Sequence, residues 1–177
     1  DAEGRRAGGG VTILAINGSI SPGGKTRALA SEAVAQAGGE VLDLATLDAE
    51  ALLGRKKDAA FDRAIEQVSA AERLVLVTPV YRATYSGVLK AFFDLLPQGA
   101  LRGSVSLLAA TGATPAHYLS LDTGLRTLVA SLEGWSAPTV IYAVSADFDA
   151  DGTPNAALRE KVGAGLAELA QVSPIAP

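Results

Sequence analysis

A chain of 177 residues that is 49% hydrophobic and carries a net charge of -4 has length for one substantial core but little room for two, so a single domain is expected. The acidic balance, with no long run of Lys or Arg, argues against nucleic acid or an anionic membrane surface as a partner. With no cysteine and His117 as the single histidine, disulfides, thiolate catalysis and Cys/His metal clusters are excluded, and any redox chemistry has to come from a cofactor.

Residues 1–10, DAEGRRAGGG, are small, polar and glycine-rich and are expected to form a flexible tail ahead of a domain over 11–177. The apolar stretches are far shorter than the roughly 20 residues that cross a bilayer, and no basic-then-apolar leader is visible, so a soluble, cytoplasmic protein is expected. Residues 11–17 are a continuous apolar run of strand length, the pattern of a strand covered on both faces. Residues 26–37 place Leu29, Ala33 and Ala37 four apart, with Gly38-Gly39 as a stop, which predicts a helix.

The unit recurs. A short strand over 40–44 is followed by a mixed stretch, 46–57, with room for a short extra helix, then by a helix over 58–71 and a strand over 73–77. Helical spacing of Val88, Leu89, Phe92, Phe93 and Leu96 predicts a helix over 87–96, stopped by Pro97. A strand over 105–110, a helix over 121–132, a strand over 139–144 and a helix over 154–170 complete the series. Thr153 is the expected cap of the last helix, with Pro154 at its first position. Strict alternation requires right-handed crossovers, and five strands suit a parallel sheet in the order 2-1-3-4-5 with helices on both faces.

In such a sheet the loops after strands one, three and four converge at the carboxyl edge. The first, Gly18-Ser19-Ile20-Ser21-Pro22-Gly23-Gly24-Lys25-Thr26-Arg27, suits a phosphate. Unpaired helix-start amides, the hydroxyls of Ser19, Ser21 and Thr26, and the charges of Lys25 and Arg27 all favour an anion, with no carboxylate expected nearby. A Walker-type nucleotide loop, whose ending Gly24-Lys25-Thr26 supplies, is a near miss on spacing because Ser19 stands where it needs glycine, and it also wants a strand ending in Asp to hold magnesium, whereas Asp43 is expected mid-strand.

The second loop, Thr78 to Gly87, carries Pro79, Val80, Tyr81, Arg82 and Tyr85, a stiff turn with tyrosines that suit a planar ring, although tyrosines covering the core are the plainer alternative. The third, Thr111-Gly112-Ala113-Thr114-Pro115-Ala116-His117, has small residues that permit close backbone approach to a ring. A lone histidine is more often structural than catalytic, and His117 is given no chemical role.

Taken together, the Gly18-Ser19 loop reaching Thr26, the run Thr78-Pro79-Val80-Tyr81 through Tyr85-Ser86-Gly87 to Asp94-Leu95-Leu96-Pro97, and Ala110-Thr111-Gly112 through Ala116-His117 to Leu121-Asp122 resemble the NADPH-dependent FMN reductase family. The likeness is greatest to the small FMN reductases of two-component alkanesulfonate monooxygenases. The resemblance implies a flavodoxin-like three-layer sandwich that binds FMN across the three loops. It places the phosphate in the first loop, the ring against Pro79 to Arg82 with Tyr85 nearby, and the ring edge against Thr111 to Ala113. It further implies hydride transfer from NADPH or NADH to the flavin, with alignment of two rings rather than acid–base chemistry as the protein's task.

Departures from the family pattern are Ser21 and Lys25, where relatives are similar in placing arginine, and Thr123. At the last position the sulfonate-type members resemble one another in having a tyrosine inserted in a distorted helix at the subunit interface, linked to flavin exchange. Homodimers or homotetramers are implied, with Phe92, Phe93 and Leu96 facing either a partner or the core, and a flavin-dependent monooxygenase is an implied recipient of reduced FMN. Arg82 or Arg102 suits the nicotinamide nucleotide. A quinone or azo-type reductase with tightly bound FMN, or an electron carrier of the same fold, are the alternatives.

Overall fold

The computed structural model describes residues 12–173; the expected tail and the first residue of the predicted first strand lie outside them. Five parallel strands, β1 (Ile13–Asn17), β2 (Gly39–Asp43), β3 (Arg73–Pro79), β4 (Val105–Thr111) and β5 (Trp135–Ala143), form one sheet in the order β2-β1-β3-β4-β5. This is the expected order. β1 is buried along its whole length because it has a strand on each side and helices on both faces.

Alternation along the strands divides the core in two. Ile13 and Ala15 point to one face, where α1 (Lys25–Ala37) and α6 (Ala156–Gln171) cover them with Leu29, Ala33, Leu158 and Val162. Leu14 and Ile16 point to the other, under α3 (Ala59–Ala70), α4 (Gly87–Asp94) and α5 (Arg126–Ser131). Phe92 and Phe93 are 0% and 2% exposed and Leu96 6%, so these three fill the monomer core and do not face a partner. Phe92 sits edge-on between Phe61 and Phe93, at centroid distances of 5.6 and 6.1 Å.

Local chemistry fixes the boundaries. The stretch after β2 holds the short helix α2 (Ala49–Leu52), whose cap Asp48 accepts from the Glu50 and Ala51 amides. Asp58 and Ser86 cap α3 and α4 in the same way. The last helix starts two residues later than expected: Asn155 is the cap, accepting from Leu158 N, while Thr153 bonds to Asp151 and Pro154 bridges to Phe148.

The expected helix over 121–132 opens instead with a π-helical turn, Leu121–Leu125, before α5. β5 starts at Trp135, four residues before the expected strand, and carries an irregularity: Ser106 pairs Ser136 and Leu108 pairs Val140, so two extra β5 residues surround Pro138. The Arg126 guanidinium serves the carbonyls thrown out there, donating to Ala137 O at 2.8 Å and Pro138 O at 3.1 Å, and it pairs with Asp122 one helical turn back. Among the described residues no helix is long and apolar enough to cross a membrane.

Candidate flavin site

The three loops meet at the carboxyl edge, and short contacts join them. Gly18 N donates to Val77 O at 2.8 Å, Ser86 Oγ donates to Gly18 O, and Val80 N donates to Thr111 O at 2.8 Å. Thr26 Oγ1 and Thr111 Oγ1 share a hydrogen bond of 2.8 Å that links the first loop to the third. Ser86 therefore does two things: it caps α4 and ties the second loop to the first.

The start of α1 is built differently from the starts of α3, α4 and α6. Its cap is Gly24, which offers no side-chain acceptor, and, as in α4 and α6, no acidic residue lies in the first turn. The first-turn amides of Lys25, Thr26 and Arg27 lack intrahelical partners and carry the positive end of the helix dipole. With Thr26 buried beside them, they form a donor set that fits a phosphate. Ser19 is buried and its Oγ accepts from Ser21 N at 3.1 Å, which folds the loop back on itself, while Ser21 is exposed.

The two cations of this loop are already engaged. Lys25 Nζ donates to Ser145 Oγ at 2.9 Å and lies 5.7 Å from the centre of the Phe148 ring. Arg27 Nε donates to Asp43 Oδ2 at 2.8 Å, with a further bond to Ser31. The expected absence of a nearby carboxylate is thus corrected. Asp43 is the last residue of β2 and not mid-strand, and its pairing with Asn17 across the parallel register puts it level with the point where the first loop begins. Asn17 Nδ2 donates to Asp43 Oδ1 at 2.6 Å, and Asn17 Oδ1 accepts from Ser19 N at 3.3 Å.

In the second loop Tyr81 and Thr84 exchange backbone hydrogen bonds of 2.9 and 3.1 Å around a two-residue turn. Arg82 and Ala83 occupy that turn at φ of 52° and 64°, the left-handed region that costs an L side chain about 1 kcal/mol or more. Tyr81 is 46% exposed beside it. Tyr85 is half-buried and packs on the π-helical turn: a Cβ placed on Gly124 would lie 3.1 Å from its Cε1. Tyr85 therefore belongs as much to the core as to the loop. Arg102, the other cation considered for the nicotinamide nucleotide, is locked to Glu133 by two bonds of 2.8 and 2.5 Å, ahead of the amino end of β4 and away from the three loops.

In the third loop Gly112 N donates to Ala143 O at 2.9 Å. A Cβ on Gly112 would fall 1.9 Å from Tyr142 Oη, so the glycine is required by a β5 tyrosine that the sequence reading passed over. Tyr142 Oη donates to Thr114 O at 2.9 Å, and burial raises its phenol above the ordinary range. Ala113 is exposed next to it, and His117 is exposed at the end of a short 3-10 turn. A separate depression of about 580 Å³ opens at the opposite edge of the sheet, between Gly39, Gln67 and Arg73, and includes none of the three loops.

Residues 11–149 match the family model described as NADPH-dependent FMN reductase. The chain belongs to this family of oxidoreductases. It is 32% identical over 146 residues to an FMN reductase (NADPH) of Pseudomonas aeruginosa, covering 77% of this chain and 78% of the relative. It is 30% identical over 161 residues to an NADH-dependent FMN reductase of Pseudomonas putida, covering 86% and 87%. The solved structure of an NADH:FMN oxidoreductase in its apo form superposes with a TM-score of 0.77 at 32% identity, covering 90% of this chain and 88% of that one. FMN and NADPH or NADH are the cofactors of this family.

Proposed function

We propose that the chain binds FMN across the three loops, with its phosphate at the uncapped start of α1 and its ring between the Pro79–Arg82 turn and Thr111–Ala113, and reduces it with NADPH or NADH. The observation that carries this reading is the α1 start: three free amides beside the Thr26–Thr111 hydroxyl pair, at the edge where the ring loops converge. When bound, FMN accepts a hydride at its ring from the reduced nicotinamide.

The chain's own residues hold and orient. Thr26 and the α1 amides fix the phosphate end, Ser19 and Ser21 shape the loop around it, and the rigid Tyr81–Thr84 turn presents Pro79, Val80 and Tyr81 to one side of the ring. Thr111, Gly112 and Ala113 line its edge, and Tyr85 supports the turn from the core side. Arg82 stands exposed at the tip of the turn, where the phosphates of a nicotinamide nucleotide meet it. Alignment of the two rings is the rate advantage that such a site supplies.

In this reading the flavin leaves after reduction and serves a separate flavin-dependent monooxygenase. Exposed Tyr118 and Leu119, 53% and 52% accessible beside the π-helical turn, support a homodimer or homotetramer through that face. Steady-state assays with NADPH or NADH test the reading. Free FMN is the expected acceptor, with turnover that saturates in FMN; turnover only with a quinone on flavin that never leaves would contradict it.

A further inference from the structure

We infer that Asp43 sets the flavin affinity of the site by neutralising Arg27, so that the FMN phosphate gains no net attraction from that cation and exchanges readily; this rests on the reading that the FMN phosphate lies at the start of α1. Of the two cations in the first loop, Lys25 bonds the neutral hydroxyl of Ser145 and keeps its charge, whereas Arg27 is paired with a carboxylate. Arg27 is the third residue of α1, so its guanidinium is within side-chain reach of the first-turn amides. It is turned instead toward β2, and the pair is largely shielded, with side chains 32% and 17% exposed.

Asp43 is itself held on two sides. Asn17 donates to one carboxylate oxygen and Arg27 to the other, and Asn17 in turn accepts from the Ser19 amide of the same loop. The carboxylate is thus tied to the first loop through Asn17 and Ser19 as well as through Arg27. A phosphate arriving at α1 meets a compensated charge: the attraction of Arg27 is offset by Asp43, and the net contribution of the pair is small. Asparagine at 43 preserves the shape and the bond from Asn17 but presents an amide to Arg27, which frees the guanidinium for the phosphate.

The test compares FMN with riboflavin, which has the same ring and no phosphate, by flavin-fluorescence titration of the wild-type chain, Asp43→Asn, Arg27→Gln and the double variant. Asp43→Asn is expected to tighten FMN about tenfold, roughly 1.4 kcal/mol, slow its release and leave riboflavin unchanged. Arg27→Gln leaves Asp43 uncompensated and is expected to weaken FMN several-fold, again without effect on riboflavin. The double variant returns to the wild-type value, and all the differences shrink as salt is raised.

If Asp43→Asn leaves FMN affinity unchanged, or weakens FMN and riboflavin alike, the inference is overturned while the placement of the phosphate stands. If the wild-type chain does not prefer FMN over riboflavin, the placement of the phosphate fails and the inference with it. Should Asp43→Asn fold poorly, as judged by its melting temperature, Arg27→Gln carries the test by itself: unchanged FMN binding there contradicts the inference.

Discussion

Gly112 and Tyr142 compete for one volume. A methyl group at 112 would sit 1.9 Å from the phenol oxygen, so Gly112→Ala has to push the Tyr142 ring aside and break its bond to Thr114 O. The expected cost is about 1–3 kcal/mol in denaturant unfolding. In a Tyr142→Ala background the same glycine change should cost much less, because the obstacle is gone; equal costs in the two backgrounds would refute the steric explanation.

The Tyr142 phenol also carries a pH signature. Burial holds its folded pKa above the unfolded value near 10, so the folded state binds the proton more tightly. That contribution is fully present below pH 10 and is lost as pH rises through the folded pKa. Melting temperatures of the wild-type chain should therefore fall more steeply above pH 10 than those of Tyr142→Phe; parallel curves would contradict this.

At the scale of elements, the Tyr81–Thr84 turn and the β5 irregularity are the two places where local preference gives way to tertiary demands. Ala83 pays for its left-handed conformation with strain, and Ala83→Gly relieves it at some cost in unfolded-chain entropy. A net gain of about 0.5 kcal/mol in stability is expected, read as a small rise in melting temperature, with weaker flavin binding because the turn is looser. Arg126→Ala removes the donors that satisfy Ala137 O and Pro138 O. It is expected to cost about 1–3 kcal/mol and to loosen the π-helical turn that Tyr85 rests on.

The early start of β5 and the π-helical turn escape local pattern reading for physical reasons, although the family resemblance implies a distorted helix around Thr123. Pro138 cannot donate to a ladder, so the stretch 135–138 reads as a connection and β5 seems to begin after it. The leucine spacing from Leu121 to Leu132 is helical overall, and the extra residue in its first turn changes the hydrogen-bond ladder without disturbing that spacing. The caps Asp58 and Ser86, by contrast, stand directly before apolar-periodic runs, and α4 starts at the expected residue and α3 one residue after it.

For the whole molecule, the five-stranded order followed from alternating strand and helix patterns, since buried parallel strands read as continuous apolar runs and crossovers have one hand. The convergence of three loops followed from that order. The charge balance of the site did not, because the Arg27–Asp43 pair depends on the register between β1 and β2, which no local pattern encodes. Phe92 and Phe93 had equal claims on the core and on an interface until the position of α4 over the sheet decided for the core.

Binding at a site assembled from three loops couples to global stability, and FMN at a hundredfold excess over its dissociation constant should raise stability by about 2.7 kcal/mol. The account as a whole turns on a single observation under anaerobic conditions: the absorbance of FMN bound to the protein, followed after NADPH or NADH is added. Bleaching of the bound flavin in a protein-dependent, saturable reaction is the predicted result. Flavin that stays oxidised with both nucleotides, or a protein that takes up no FMN at micromolar concentration, would contradict it.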